Sequence, residues 1–71
     1  MRPLDKNELA SLTLFASGKS NDEIASALGV SQSMAHQYLR IVARKLGARN
    51  RVHAVAIAVR NGLVEATRGR E

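Results

Sequence analysis

Hydrophobic residues recur along this chain at intervals of about three and four positions, the period that places side chains on one face of an α-helix. The sustained alternation of apolar and polar residues that is typical of strands does not occur in the sequence. Capping residues and glycines divide the hydrophobic pattern into four segments. The sequence therefore predicts an all-α domain of four helices.

The first helix is predicted between Asp5 and Ala16. Asp5 and Glu8 have the spacing of a capping box, in which each side chain accepts a hydrogen bond from the backbone N–H of the other residue. Gly18 follows Ala16 closely and can adopt the left-handed backbone that ends a helix. The apolar residues of this segment are Leu9, Leu12, Leu14, Phe15 and Ala16.

Two further helices are predicted with almost no linker between them. Ser20 and Glu23 repeat the capping-box spacing before a helix of about eight residues that ends at Gly29. Ser31 can cap the next helix at once, and Gly47 ends it. The face that this longer helix buries is formed by Ala35, Leu39, Val42, Ala43 and Leu46. A short helix, a glycine turn and a longer helix with a polar outer face predict a helix-turn-helix.

The fourth predicted helix, from about Arg51 to Asn61, is apolar on nearly all sides. Asn50 can cap it and Gly62 can end it. The stripe predicted to face the core is Ala54, Val55 and Ala58. The stripe that would then face outward is Val52, Ala56, Val59 and Leu63. An exposed apolar stripe on so small a domain predicts a homodimer interface, the alternative being that the C-terminal tail covers the stripe.

The charge of the chain is unevenly distributed. The net charge is +5 at pH 7, and residues 24–64 contain six basic residues and no acidic residue. A one-sided basic region is typical of a protein that binds a polyanion, because neutralising phosphates releases condensed counterions. A basic surface that only keeps the protein soluble is the alternative. The six basic residues are Arg40, Arg44, Lys45, Arg49, Arg51 and Arg60.

Length and composition exclude other classes of protein. The 71 residues suffice for one domain, with a core predicted over 4–64, and are too few for a compact enzyme with a deep pocket. Cysteine is absent, and His36 and His53 are too far apart in the sequence to suggest a metal site. The sequence contains no set of side chains that could form a catalytic site, and it shows neither the pattern of a signal peptide nor an apolar run long enough to span a membrane. We expect a cytoplasmic protein that is not an enzyme and uses neither a metal nor a cofactor.

Several linked motifs resemble one known family. They are Leu4-Asp5-Lys6-Asn7-Glu8 with Leu12 and Gly18, Ser20-Asn21-Asp22-Glu23-Ile24-Ala25, Leu28-Gly29-Val30-Ser31, and Arg44-Lys45-Leu46-Gly47-Ala48-Arg49-Asn50-Arg51 with Ala54-Val55. From Leu4 to Val64 the chain resembles the LuxR-type helix-turn-helix domain of quorum-sensing regulators and of response regulators of the NarL/FixJ kind.

The resemblance implies a domain that binds inverted-repeat operators in double-stranded DNA as a dimer formed through the last helix. Such a domain is usually the C-terminal part of a longer bacterial transcription regulator. The resemblance also suggests RNA polymerase as a further partner.

The resemblance also implies roles for individual residues. The family's recognition helix reads Ser-Glu-Lys-Thr-Val-Lys-Asn-His, whereas residues 31–38 read Ser-Gln-Ser-Met-Ala-His-Gln-Tyr, which leaves the preferred operator open. By position, the base-reading residues are His36, Gln37 and Arg40. The phosphate contacts are Ser33, Tyr38, Arg44, Lys45, Arg49 and Arg51. Glutamine can bond adenine and arginine can bond guanine through two hydrogen bonds each, which supports these assignments.

A second function stays open at this point. The unusual run Met34-Ala35-His36 is compatible with a module that has lost DNA binding and instead dimerises with, and blocks, a related regulator. Simpler roles are also open for single residues. One simpler role for Arg44 and Lys45 is to provide favourable charges at a helix C-terminus without contacting DNA. His53 can be structural or lie at the dimer interface.

Overall fold

The computed structural model describes residues 3–64, and within this range the chain forms four α-helices and no strand. They are α1 (Lys6–Ala16), α2 (Asn21–Leu28), α3 (Gln32–Leu46) and α4 (Arg51–Arg60). The predicted all-α fold is confirmed, and each helix begins directly after its predicted cap. None of the helices in this range is long and apolar enough to cross a membrane.

Reciprocal capping boxes begin the first two helices. The Asp5 carboxylate accepts the Glu8 N–H at 2.8 Å, and the Glu8 carboxylate accepts the Asp5 N–H at 3.1 Å. The Ser20 hydroxyl accepts the Glu23 N–H at 3.1 Å, and the Glu23 carboxylate accepts the Ser20 N–H at 2.8 Å. Because these bonds satisfy backbone donors that have no partner inside a helix, they fix where α1 and α2 start.

The turn between α2 and α3 is set by backbone geometry. Gly29 has φ +70°, a left-handed conformation that costs glycine little, and the Val30 N–H closes the turn on the Ala25 carbonyl at 3.0 Å. Ser31 then caps α3 by accepting the Met34 N–H at 3.0 Å. The predicted helix-turn-helix is therefore present, and its glycine turn sets the direction of α3.

Helix α3 contributes to both hydrophobic clusters of the core. One cluster joins α1, α3, α4 and the segment after α4, and its buried members are Leu12, Val42, Leu46, Ala54, Ala58 and Val64. The other joins α2 to α3, and its buried members are Ile24, Ala25, Ala35 and Leu39. Since one face of α3 is buried along its whole length, the opposite face is held rigidly toward solvent.

The predicted outward stripe of α4 is only partly exposed. Val52 is 68% exposed and Ala56 is exposed, but Val59 and Leu63 are half-buried and pack against the core. Leu63 turns inward because Gly62, at φ +72°, reverses the chain, so that the Leu63 N–H reaches the Ala58 carbonyl at 2.8 Å. The exposed apolar strip is therefore shorter than the sequence predicts. The tail proposed to cover it, residues 65–71, lies outside the described residues.

Candidate nucleic-acid interface

The outer face of α3 carries the side chains that the sequence assigns to base reading. All three are exposed on the helix whose other face is buried: His36, Gln37 and Arg40. Ser33 lies one turn before them and Arg44 one turn after, and both are also exposed. The fold therefore brings these predicted residues together on one rigid, polar surface.

An open groove of about 470 Å³ lies between α3 and the loop that leads into α4. Four arginines line it, namely Arg40, Arg44, Arg49 and Arg51, together with His36 and Asn50. None of its lining residues is acidic. Guanidinium groups along one groove create a positive potential that attracts a polyanion and match phosphate oxygens in geometry.

A second, smaller hollow of about 160 Å³ lies on the other side of the same helix face. Arg40 and Arg44 line both hollows, with Gln37 and Ile41 completing the second. Arg40 is thus exposed between the two hollows on the outer face of α3. The base-reading role of Arg40 stays a prediction.

The loop before α4 is held by hydrogen bonds at its backbone. The Asn50 side chain accepts the His53 N–H at 2.8 Å, and the His53 Nδ1 atom accepts the Arg49 N–H at 3.2 Å. These bonds leave the Arg49 side chain exposed while its backbone is ordered. His53 therefore stabilises the arginine-bearing loop, which agrees with its structural interpretation.

Arg51 has contacts that the sequence does not reveal. Its Nη2 atom lies 2.6 Å from His36 Nδ1, and its guanidinium lies 5.6 Å from the centroid of the Phe15 ring. Such a distance is typical of a cation–π contact. Because His36 and Arg51 are separated by 15 positions, no local pattern in the sequence could indicate this pair.

Two other predicted phosphate contacts lie on the flank of α3 that faces α1. The Lys45 ammonium forms an ion pair with the Glu8 carboxylate at 2.7 Å. The Tyr38 hydroxyl accepts a hydrogen bond from Asn7 at 3.3 Å. Tyr38 and Lys45 therefore lie apart from the groove that the four arginines line, although the family pattern predicts that both contact phosphates.

The start of α3 is tied to the first turn of α2. The Asn21 side chain donates to the Gln32 carbonyl at 3.1 Å, and the Gln32 side chain donates to the Asp22 carboxylate at 2.8 Å. In the same turn, hydrogen bonds from the backbone and the hydroxyl of Ser20 lower the pKa of Glu23. A negative charge at a helix N-terminus is favourable, so Ser20 and Glu23 together stabilise α2, the helix that positions α3.

The site has no arrangement suited to metal chemistry within residues 3–64, where no three His, Asp or Glu side chains come close enough to hold an ion. Its chemistry is that of hydrogen-bond donors and cations on a convex helix face beside a basic groove. A helix-turn-helix that presents such a face defines a class of protein, the helix-turn-helix nucleic-acid-binding domains.

The chain belongs to the luxR family of bacterial regulatory proteins, whose family model matches residues 2–58. DNA-binding transcription regulation is the function that this membership and the names of the relatives support. The resemblance inferred from the sequence motifs is therefore confirmed. Neither the family nor the relatives support the alternative of a module that has lost DNA binding.

Similar proteins come from several bacteria. The chain is 41% identical over 61 residues to the transcriptional activator protein BjaR1 of Bradyrhizobium diazoefficiens, covering 86% of this chain and 25% of that protein. It is 38% identical over 63 residues to the transcriptional regulatory protein YxjL of Bacillus subtilis, covering 89% and 29%. It is 44% identical over 55 residues to the response regulator RamR of Streptomyces coelicolor, covering 78% and 27%. The chain thus spans between 25% and 29% of the length of these relatives.

Proposed function

We propose that this domain binds double-stranded DNA in a sequence-specific manner, with α3 lying in the major groove. The observation that carries the proposal is the outer face of α3, where His36, Gln37 and Arg40 are exposed while the opposite face is buried in both core clusters. A helix anchored in this way can enter the major groove without rearrangement of the core.

The side chains divide into two roles in this proposal. Arg40 and Gln37 read base edges, since arginine pairs with the O6 and N7 atoms of guanine and glutamine with the N6 and N7 atoms of adenine. Arg44 and Arg49, which line the same groove as Arg40, bind phosphates and set the register of the helix. Ser33, which is exposed at the start of α3, binds a further phosphate in this proposal.

The proposed partner is an inverted-repeat operator bound by a homodimer. Support comes from Val52, which is 68% exposed, and from Ala56 one turn further along α4. Val59 and Leu63, which are half-buried, would complete the interface. RNA polymerase is a further proposed partner, since two relatives carry the name transcriptional activator.

The proposed role involves binding without catalysis, in the bacterial cytoplasm and on the nucleoid when DNA is bound. The family supports this because it consists of bacterial regulatory proteins. We further propose that the domain is the DNA-binding output part of a longer regulator, in line with the small share of each relative that it spans.

The test is to select a preferred duplex from a random pool and to compare affinities by fluorescence anisotropy at several salt concentrations. We expect wild-type affinity to fall with a log-log slope of about −0.9 per phosphate contacted. Arg40→Ala should weaken binding to the selected duplex by about 1 to 3 kcal/mol and change binding to random DNA little. The matched control is Arg60→Ala, which removes the same charge from an exposed position at the end of α4.

Two results would contradict the proposal. Negligible, salt-independent binding would favour the blocking module instead. Equal losses for Arg40→Ala on selected and random DNA would remove its base-reading role.

A further inference from the structure

The strongest unexplained feature of the domain is the contact between Arg51 and His36. Position in the family pattern makes Arg51 a phosphate contact, but the structure directs its guanidinium to the imidazole of the recognition helix at 2.6 Å. The inference below rests on the proposed function, because it concerns what His36 presents to DNA.

The contact determines which nitrogen of His36 carries the proton. A guanidinium has five N–H donors, has no acceptor and stays charged in proteins. The Nδ1 atom of His36, facing Arg51 Nη2, must therefore be the acceptor, and its lone pair must be free. In the neutral ring the proton then resides on Nε2.

Arg51 is itself held in place from two sides. Arg51 is the first residue of α4 and directly follows the cap residue Asn50. Its guanidinium lies over the ring of Phe15 from α1. Phe15 packs in turn against the cluster that joins α2 to α3. Moving the guanidinium to a phosphate would break both the ring contact and the bond to His36.

No carboxylate within residues 3–64 competes for Arg51, because the ion pair described there joins Lys45 to Glu8. His36 as a whole is exposed on the outer face of α3, and it lines the same groove as Arg40. Nδ1 of His36 therefore faces the arginine, and none of the hydrogen bonds described for residues 3–64 involves Nε2, which is the nitrogen left for DNA in this inference.

We propose that Arg51 is a positioning residue for base recognition, which fixes His36 in the Nε2–H tautomer so that the imidazole meets the base edge as a hydrogen-bond donor. An unfixed neutral imidazole could present either a donor or an acceptor. A fixed donor requires an acceptor on the base.

This requirement has a definite consequence in the major groove. Guanine offers O6 and N7, adenine offers N7 and thymine offers O4, whereas cytosine offers only its amino donor. The pair of Arg51 and His36 therefore disfavours cytosine at the base that His36 faces. Mispairing one hydrogen bond of this kind reduces affinity by roughly 3- to 10-fold.

The first test is spectroscopic and needs no DNA. Two-bond ¹H–¹⁵N spectra of the wild-type protein, at a pH where His36 is neutral, report the protonation of each ring nitrogen. We expect one protonated nitrogen, Nε2, and one unprotonated nitrogen, Nδ1, in the wild type. In Arg51→Met, which removes the donors but keeps an unbranched apolar stem over Phe15, we expect both nitrogens to shift toward exchange-averaged values. A wild-type ring protonated at Nδ1, or averaged between tautomers, would overturn the proposal.

The second test measures base preference. His36→Ala first identifies the base pair at which discrimination depends on His36, and affinities are then measured for duplexes carrying each of the four bases there. Arg51→Met should lose the roughly 3- to 10-fold penalty against cytosine. Arg49→Met, the matched control in the same groove, should weaken binding to all four duplexes alike.

The outcomes separate this inference from the proposed function. The opposite outcome is that Arg51→Met behaves like the control, weakening binding to all four duplexes equally and reducing the salt slope by about 0.9. In that case Arg51 is a phosphate contact, and the inference fails while DNA binding stands. If the wild type binds no duplex, the proposed function fails, and the spectra still decide whether Arg51 fixes the tautomer. Circular dichroism of each variant establishes that its helices are intact.

Discussion

At the scale of single residues, Glu8 combines two structural roles. Its carboxylate accepts the backbone N–H of Asp5 in the first capping box and also binds the Lys45 ammonium, while the residue is only 5% exposed. A carboxylate so well buried is tolerated when it is paired and hydrogen-bonded. Lys45 therefore has a clear task inside the domain, namely to join the start of α1 to the end of α3.

The prediction at this scale concerns Lys45. Lys45→Met keeps the stem of the side chain but leaves the Glu8 carboxylate without its cation, so we expect the free energy of unfolding to fall by about 1 to 3 kcal/mol. Lys6→Met, at an exposed position of α1, should change it little. Adding Glu8→Gln to Lys45→Met should recover part of the loss, since the two sites are coupled.

Urea denaturation of the single and double variants measures these values. Unchanged stability, together with weaker binding to every DNA sequence, would instead make Lys45 the phosphate contact that the family pattern implies.

At the scale of elements, α2 depends on its capping box because it has only eight residues. The bonds from Ser20 lower the pKa of Glu23 below the ordinary value of 4.5. A carboxylate with a lowered pKa stabilises the folded state above its unfolded pKa, and this contribution is lost as the pH falls through the folded pKa. The helix that orients α3 is therefore weakened in acid.

We expect Glu23→Gln to be less stable than the wild type at pH 7 and close to it at pH 3, so that the loss of stability on acidification is smaller in the variant. Ser20→Ala keeps the carboxylate but removes the cap, and should reduce stability at pH 7 by about 1 kcal/mol. Chemical denaturation at the two pH values tests both variants. The same acid sensitivity in Glu23→Gln and wild type would contradict this role of Glu23.

At the scale of the whole molecule, the basic groove and the apolar strip of α4 lie close together in the chain. Arg51 lines the groove, and Val52, the next residue, is the most exposed large hydrophobic residue described. An inverted-repeat operator needs two recognition helices at a fixed spacing, which a dimer formed at this strip would supply.

We expect Val52→Asp to weaken dimerisation and to abolish cooperative binding to two half-sites, with little effect on monomer stability because the side chain is largely exposed. Ala27→Asp, which places the same charge on an exposed position of α2, should leave dimerisation unchanged. Sedimentation velocity with and without an inverted-repeat duplex measures this. A wild-type domain that stays monomeric and fills half-sites independently would exclude an interface at Val52.

The helices and their ends could be predicted from the sequence because their causes are local. A cap and the N–H that it accepts are three positions apart, as in Asp5 with Glu8 or Ser31 with Met34, and left-handed glycines stop helices in the same local way. The residues exposed on α3 could likewise be predicted from the helical period of the apolar positions.

The contacts that modify the site could not be predicted in this way. Lys45 and Glu8 are 37 positions apart, and their pairing depends on how α3 is rotated against α1. The pairing of Arg51 with His36 depends likewise on the angle between α3 and α4. The roles of Lys45 and Arg51 are therefore predicted from the family pattern alone. That pattern records which side chain stands at a position but not which residue it contacts in the folded domain.

The division of α3 into an inner and an outer face has a consequence for how binding preference can change. Inward residues such as Leu39 and Val42 hold the fold, while outward residues such as Gln37 and Arg40 have no part in the core. Outward positions can therefore be randomised in a library with little loss of folded clones, and new target sequences can evolve on an unaltered scaffold. His36 is one exception, because replacing it also releases Arg51, so these two positions should be varied jointly.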